Sequence, residues 1–137
     1  MRRLAAAALL AAAATTGAQA AQPITGRYVV EDGTAVVEVA RCGTALCGRI
    51  ARVLKPRHGG PTTDVNNRDP ALRARPILGL PILTSFTDAG DDWRGRIYDP
   101  RNGKSYRSIV SREAGGGLKV QGCIAFICQT QRWRAAR

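Results

Sequence analysis

The residues best suited to chemistry are concentrated in one stretch. Positions 55–76 hold His58, the only histidine, together with Asp64, Asn66, Asn67, Arg68, Asp69, Arg73 and Arg75. A histidine within hydrogen-bond reach of a carboxylate can act as a general base, so His58 with Asp64 is the minimum set for hydrolase-type chemistry. Beside Gly59-Gly60, however, a lone His58 reads most simply as an exposed loop residue. The run Asp64-x-Asn66-x-Arg68 starts like a calcium loop but places Arg at the third ligand position. It also lacks the internal Gly and the closing Glu such a loop needs. No G-x-S-x-G, H-E-x-x-H or phosphate-cradling glycine loop occurs, and Gly115-Gly116-Gly117 reads as a turn. No catalytic residue and no cofactor are expected. Two roles remain for Asp64, Asn67, Arg73 and Arg75. They can lock the loop, with Asp64 and Asn67 accepting backbone N–H bonds and Arg73 or Arg75 pairing with a carboxylate. Alternatively they contact a ligand, the guanidinium groups forking onto a carboxylate or phosphate head group.

The second chemically distinctive set is the cysteines. They recur with one spacing, Cys42-Gly-Thr-Ala-Leu-Cys47 and Cys123-Ile-Ala-Phe-Ile-Cys128. Four intervening residues suit the two arms of a tight hairpin facing each other. Of three possible connectivities the local ones, Cys42–Cys47 and Cys123–Cys128, are favoured, each stabilising by about 2 kcal/mol on the chain-entropy model. A four-thiolate metal site fits less well, because zinc ligand pairs generally enclose two to four residues and thiolates rarely stay reduced outside the cytosol. A C-x-x-C redox pair is absent.

The compartment follows from the N-terminus. Met1-Arg2-Arg3 is a basic start, positions 4–14 contain only Leu and Ala, and Ala18-Gln19-Ala20 is a small-x-small pattern. This predicts a secretory signal peptide over 1–20, cleaved after Ala20, rather than an Ala-rich helix of the fold. The apolar run is too short to span a bilayer, which takes roughly twenty residues. No transmembrane segment is expected further on, and no Cys at the cleavage point invites a lipid anchor. The expected location is the periplasm of a Gram-negative-type envelope, or outside the cell.

Losing Arg2 and Arg3 with that segment lowers the formal charge from +11 to +9 and leaves 117 of 137 residues, enough for one domain over 21–137. Among the 21 basic residues only Lys55, Lys104 and Lys119 are lysines. Such a balance resembles a nucleic-acid binder's, but export removes that partner and no aromatic base-stacking platform is present. Anionic envelope components are the partners that fit the charge.

The elements that must position these residues read as strands. Runs at 26–31, 34–41, 47–54, 82–87, 93–98, 105–112, 118–124 and 126–134 carry β-rich or alternating patterns. The clearest is Leu118, Val120, Gly122 and Ile124 alternating with Lys119, Gln121 and Cys123. Asp32-Gly33 and Asp99-Pro100-Arg101-Asn102-Gly103 are turn signals. About eight short strands joined in sequence predict an all-β, up-and-down antiparallel barrel, whose closure removes exposed edges. Eight strands enclose either a side-chain-filled interior or room for one small ligand. Only 55–76 interrupts the rhythm. Within it Asp69 can cap a short helical turn beginning at Pro70, with Pro76 as its stop.

With these motifs in view, the chain resembles a known family. Arg41-Cys42-Gly43 with Leu46-Cys47-Gly48-Arg49-Ile50 looks like its first signature. Asp64-x-x-Asn67-x-Asp69-Pro70-x-Leu72-Arg73-x-Arg75-Pro76-x-Leu78-Gly79 looks like its second. Ile97-Tyr98-Asp99-Pro100, Gly103-Lys104-x-Tyr106 and a Trp133-Arg134 ending complete the set. The family is the bacterial exported group named for domain of unknown function 2147. The resemblance, covering nearly all of 26–134, implies a lipocalin-like barrel in the periplasm or outside the cell, with no particular reaction or ligand. Lipocalin-like barrels often open with Gly-x-Trp and end with an Arg packed over that Trp. Here Gly26-Arg27-Tyr28 puts Tyr in place of Trp, so closure is expected from Tyr28 with Trp133 and with Arg134 or Arg132.

Two functions follow as expectations. The first is a non-enzymatic small-ligand-binding protein of the envelope. It would take an apolar or amphipathic, lipid-like molecule with an anionic head group, gated by the 55–76 loop and held by Asp64, Asn67, Arg73 and Arg75. The second is a basic surface protein that binds acidic lipids or glycans without a cavity, for example through Arg94, Arg96, Arg132, Arg134 and Arg137. The sequence leaves oligomeric state open.

Overall fold

A computed structural model of the protein describes residues 8–15, 17, 19–55 and 60–137. Eight strands follow one another in sequence: β1 (Gly26–Val29), β2 (Ala35–Cys42), β3 (Ala45–Val53), β4 (Pro81–Asp88), β5 (Trp93–Asp99), β6 (Lys104–Arg112), β7 (Leu118–Ile124) and β8 (Ile127–Ala135). Each pairs antiparallel with its neighbour, and β1 meets β8 through Tyr28 opposite Ala135 and Val29 opposite Arg134. The sheet is therefore a closed up-and-down barrel, as the alternation predicted. The helical turn in the long loop is a three-residue 3-10 turn, Pro70–Leu72. Asp69 caps it by accepting the Ala71 N–H at 3.0 Å. His58 lies outside the described residues.

Why the strands curve into a barrel is visible in β4. Register shifts interrupt its pairing with β3 and with β5, and Ser85 takes a left-handed conformation in the bulge. Such bulges bend a strand and increase its twist. Gly95 of β5 makes the bend possible, because a Cβ there would stand 2.6 Å from both a Phe86 ring carbon and the Thr84 carbonyl oxygen.

The chain alternates between two ends of the barrel. The β2–β3, β4–β5 and β6–β7 turns lie at one end, which residues 21–25 strap shut. The backbone N of Ala21 reaches both carboxylate oxygens of Asp88 at 3.1 and 3.2 Å. Trp93 Nε1 donates to the Gln22 carbonyl at 2.8 Å, and Arg112 donates to the Pro23 carbonyl at 3.1 Å. Ile24 is fully buried, and its carbonyl accepts the Tyr28 hydroxyl at 3.0 Å. The described residues before Ala21 are exposed and carry no secondary structure. Val39, Leu46, Leu83, Phe86, Val110 and Leu118 fill the barrel at this closed end. Burying each such side chain stabilises by about 1.5–3 kcal/mol.

Both cysteine pairs bridge locally, Cys42–Cys47 at the closed end and Cys123–Cys128 at the other. The details of closure depart from the expected stacking. Trp133 and Tyr28 are buried, but Arg132 and Arg134 alternate to the outer face and are exposed. Arg132 pairs with Glu113. The guanidinium whose charge acts on Tyr28 belongs to Arg112, although burial is the stronger influence and pushes the phenol's pKa up.

Candidate functional site

The other end of the barrel is hollow. A cavity of about 1430 Å³ reaches from the buried ring of Trp133 to the β1–β2, β3–β4, β5–β6 and β7–β8 connections. Small-molecule sites are usually about 300–1,000 Å³, so this space is large enough for one small molecule. Its deep wall is apolar, built from Val37, Ile50, Ile82, Ile97, Val120 and Trp133, which face inward from six strands. Polar side chains line the rest, among them Thr34, Asn66, Asn102, Gln129 and Gln131. Trp133 Nε1 donates to Gln131 Oε1 at 3.0 Å, and Asn102 Nδ2 donates to the Tyr106 hydroxyl at 3.0 Å. Glu31, Asp32, Asp99, Lys55 and Arg101 provide charge of both signs at the mouth. Gly122 lines the wall, and a Cβ there would meet only ordinary contacts, the nearest at 3.6 Å.

Over one side of the mouth lies the described part of the long loop, residues 60–76, and its polar side chains fasten it. Asp64 is fully buried. Its carboxylate accepts from the Tyr98 hydroxyl at 2.6 Å, from Asn67 Nδ2 at 2.8 Å and from Arg75 Nη2 at 3.2 Å. Its backbone N–H donates to the Arg75 carbonyl at 2.9 Å, and its carbonyl accepts from Asn67 N at 3.0 Å. Arg73 Nε donates to the Asn67 carbonyl at 2.8 Å. Burying a carboxylate costs several kcal/mol unless it is paired and hydrogen-bonded, and three donors meet that condition here. Burial, first, and the Asp64 bond raise the Tyr98 pKa from 10.0 to about 12.

The four residues expected to hold a ligand are thus brought together, but with one another rather than on the cavity wall. Asp64 is fully buried and Arg73 is exposed away from the cavity wall, while Asn67 and Arg75 border a groove outside the barrel. The fully buried Asp64, its oxygens engaged by three donors, has the geometry of a structural anchor. Two further anchors went unread in the sequence. Asn66 Nδ2 donates to the carbonyls of Pro100 and Arg101 at 3.1 and 3.2 Å. Gly103, at φ +70°, lets the Asn66 carbonyl lie where a Cβ would be, only 1.8 Å away. Pro100 and Gly103 lie within the Ile97-Tyr98-Asp99-Pro100 and Gly103-Lys104 motifs, whereas Asn66 falls on an unassigned position of the loop motif.

The outer groove, about 980 Å³, runs over β4, β5, β6 and β7 near the open end. Five cations border it, Arg68, Arg75, Arg96, Lys104 and Arg107, against the single carboxylate of Asp69. Among the described residues no group of three His, Cys, Asp or Glu comes together to hold a metal ion, and no helix is long and apolar enough to cross a membrane.

A closed eight-stranded barrel with this loop and these paired cysteines matches, over residues 26–135, the family described as an uncharacterized protein conserved in bacteria (DUF2147). The chain belongs to that family. No curated protein matches it. Among solved structures, this DUF2147 chain is similar to protein HP1028 of Helicobacter pylori, described as belonging to the lipocalin family. The two share 19% identity with a TM-score of 0.72, over 84% of each chain. At that identity the likeness establishes the lipocalin-like fold.

Proposed function

We propose that this DUF2147 protein is an exported, non-enzymatic binder of a small apolar or amphipathic molecule. Residues 1–20 are removed as a signal peptide, and the mature barrel works in the periplasm or outside the cell. The observation that carries the reading is the cavity of about 1430 Å³, whose deep wall of Val, Ile and Trp side chains opens at a rim bearing both charges. A molecule with an acyl or terpenoid body would bury that body against Trp133 and keep its head at the rim. With Asp64, Asn67 and Arg73 occupied in fastening the loop and Arg101 forked onto Asp99 at 2.9 Å, Lys55 becomes the rim cation best placed to meet an anionic head group. Two disulfides are consistent with an oxidising compartment.

Protein purified from a periplasmic extract should yield a bound small molecule on organic extraction and mass spectrometry. It should also bind an environment-sensitive apolar dye stoichiometrically. Recovering no ligand and no saturable dye binding would overturn the reading. The rival, a basic surface protein without a cavity, is disfavoured by the hollow interior, but the basic groove it depends on exists and bears on the inference below.

A further inference from the structure

The open end carries an exposed apolar tip whose outermost residue, Phe126, neither lines the cavity nor packs in the core. The β7–β8 hairpin turns on Ala125 and Phe126, between Ile124 and Ile127. Phe126 is 91% exposed, Ile124 68% and Ile127 67%. Two-residue hairpin turns favour Asn-Gly or Gly-containing pairs, because their central positions require φ > 0. Here Ala125 adopts φ +52° in a turn whose other residue is a large aromatic. Directly behind it the Cys123–Cys128 bridge staples the arms. The sequence thus holds an unfavourable turn in place and uses it to present a phenyl ring to solvent.

The surface beside the tip supplies a second, independent observation. Ile124 and Ala125 border the basic groove, and the Arg107 guanidinium donates to the Ala125 carbonyl. Arg96 and Arg107 stand directly opposite each other on β5 and β6, a like-charge pairing that destabilises a sheet. Neither forms an ion pair with a carboxylate among the described residues. An apolar projection flanked by cations is the pattern that binds an anionic bilayer: the apolar part enters the headgroup–acyl boundary, and the cations meet lipid phosphates.

We propose that the β7–β8 tip and the adjoining groove form a docking surface for an anionic phospholipid bilayer. Docking places the cavity mouth, which Ile124 and Ile127 also line, against the membrane. An amphipathic ligand then passes between bilayer and barrel without crossing open water. The inference rests on the ligand-binding reading only for this last consequence; the docking itself does not need a cavity.

The test uses the purified protein with vesicles of phosphatidylcholine alone or mixed with phosphatidylglycerol. Co-sedimentation is expected with the mixed vesicles only, and should weaken as salt rises. Phe126→Ser should reduce it about tenfold through the lost apolar contact, and Arg96→Glu with Arg107→Glu by more than tenfold. Since Phe126 is exposed, its variant should keep the parent's thermal midpoint. In Phe126→Trp, emission beyond that of Trp93 and Trp133 should shift to the blue on binding and be quenched by brominated acyl chains. Unchanged sedimentation of Phe126→Ser overturns the proposal. So does Phe126→Trp emission that remains water-like in the bound state, or a Phe126-dependent dimer that ignores vesicles. A cavity-filling Gly122→Phe variant should lose dye binding yet still sediment with vesicles, so failure of the ligand reading and failure of docking are told apart.

Discussion

The Tyr98 hydroxyl donates to the fully buried Asp64 carboxylate across 2.6 Å, joining the long loop to strand β5. Removing the hydroxyl leaves a buried carboxylate with two donors in place of three. Tyr98→Phe is expected to lower unfolding free energy by about 1–3 kcal/mol, measured by urea denaturation. The same bond has a pH signature. With a folded pKa of about 12 against 10.0 unfolded, the folded state keeps the phenol's proton longer. Its contribution is complete below pH 10 and is lost as pH rises towards 12. Tyr98→Phe should therefore lose less stability than the parent over that interval.

The Asn66 carbonyl occupies the space of a Gly103 side chain. Gly103→Ala combines that collision with a left-handed backbone, and should cost about 2–4 kcal/mol. If the loop is released instead of the barrel unfolding, limited proteolysis will cut within 55–76 while the core remains protected.

Gly122→Phe adds a ring to the cavity wall at a position where a Cβ has room. Thermal stability should be retained, and apolar dye binding should fall at least tenfold. Retained dye binding would place the ligand elsewhere.

The two disulfides close equally short loops at opposite ends. Replacing either pair by Ser should cost about 2 kcal/mol. Only loss of Cys123–Cys128 should also weaken vesicle binding, because only that bridge supports the Phe126 turn.

Ala21 N meets Asp88 from 3.1 and 3.2 Å. Hydrolysis after Ala20 would turn this amide into an ammonium, and the contact into an ion pair. Asp88→Asn and Nα-acetylation of Ala21 in the processed protein should each cost about 1 kcal/mol, and the two together little more than one alone. Additive losses would show that the groups act separately.

How much of this was legible depended on whether the signal was local. Leu118, Val120, Gly122 and Ile124 announce an inward strand face because side chains alternate with period two, and Asp69-Pro70 announces a capped turn because the cap acts over two residues. The partner of Asp64 lies 34 positions away, and nothing near Tyr98 marks its hydroxyl for that role. Arg73 and Arg75 bond to Asn67 and Asp64 within the loop, and charge alone does not tell a guanidinium that tethers a loop from one that meets a ligand. The hollow interior was out of reach for a different reason. It depends on bulges such as the one at Ser85, which set strand curvature through pairing and not through composition.

The alternation of the chain between two ends separates what the protein must keep from what it is free to change. Every second connection helps shut the closed end, where residues 21–25 and the packed core hold the barrel. The connections between them frame the mouth. The mouth can therefore be reshaped at connection residues outside the Asp64, Gly103 and Cys123–Cys128 fastenings without disturbing the packed end.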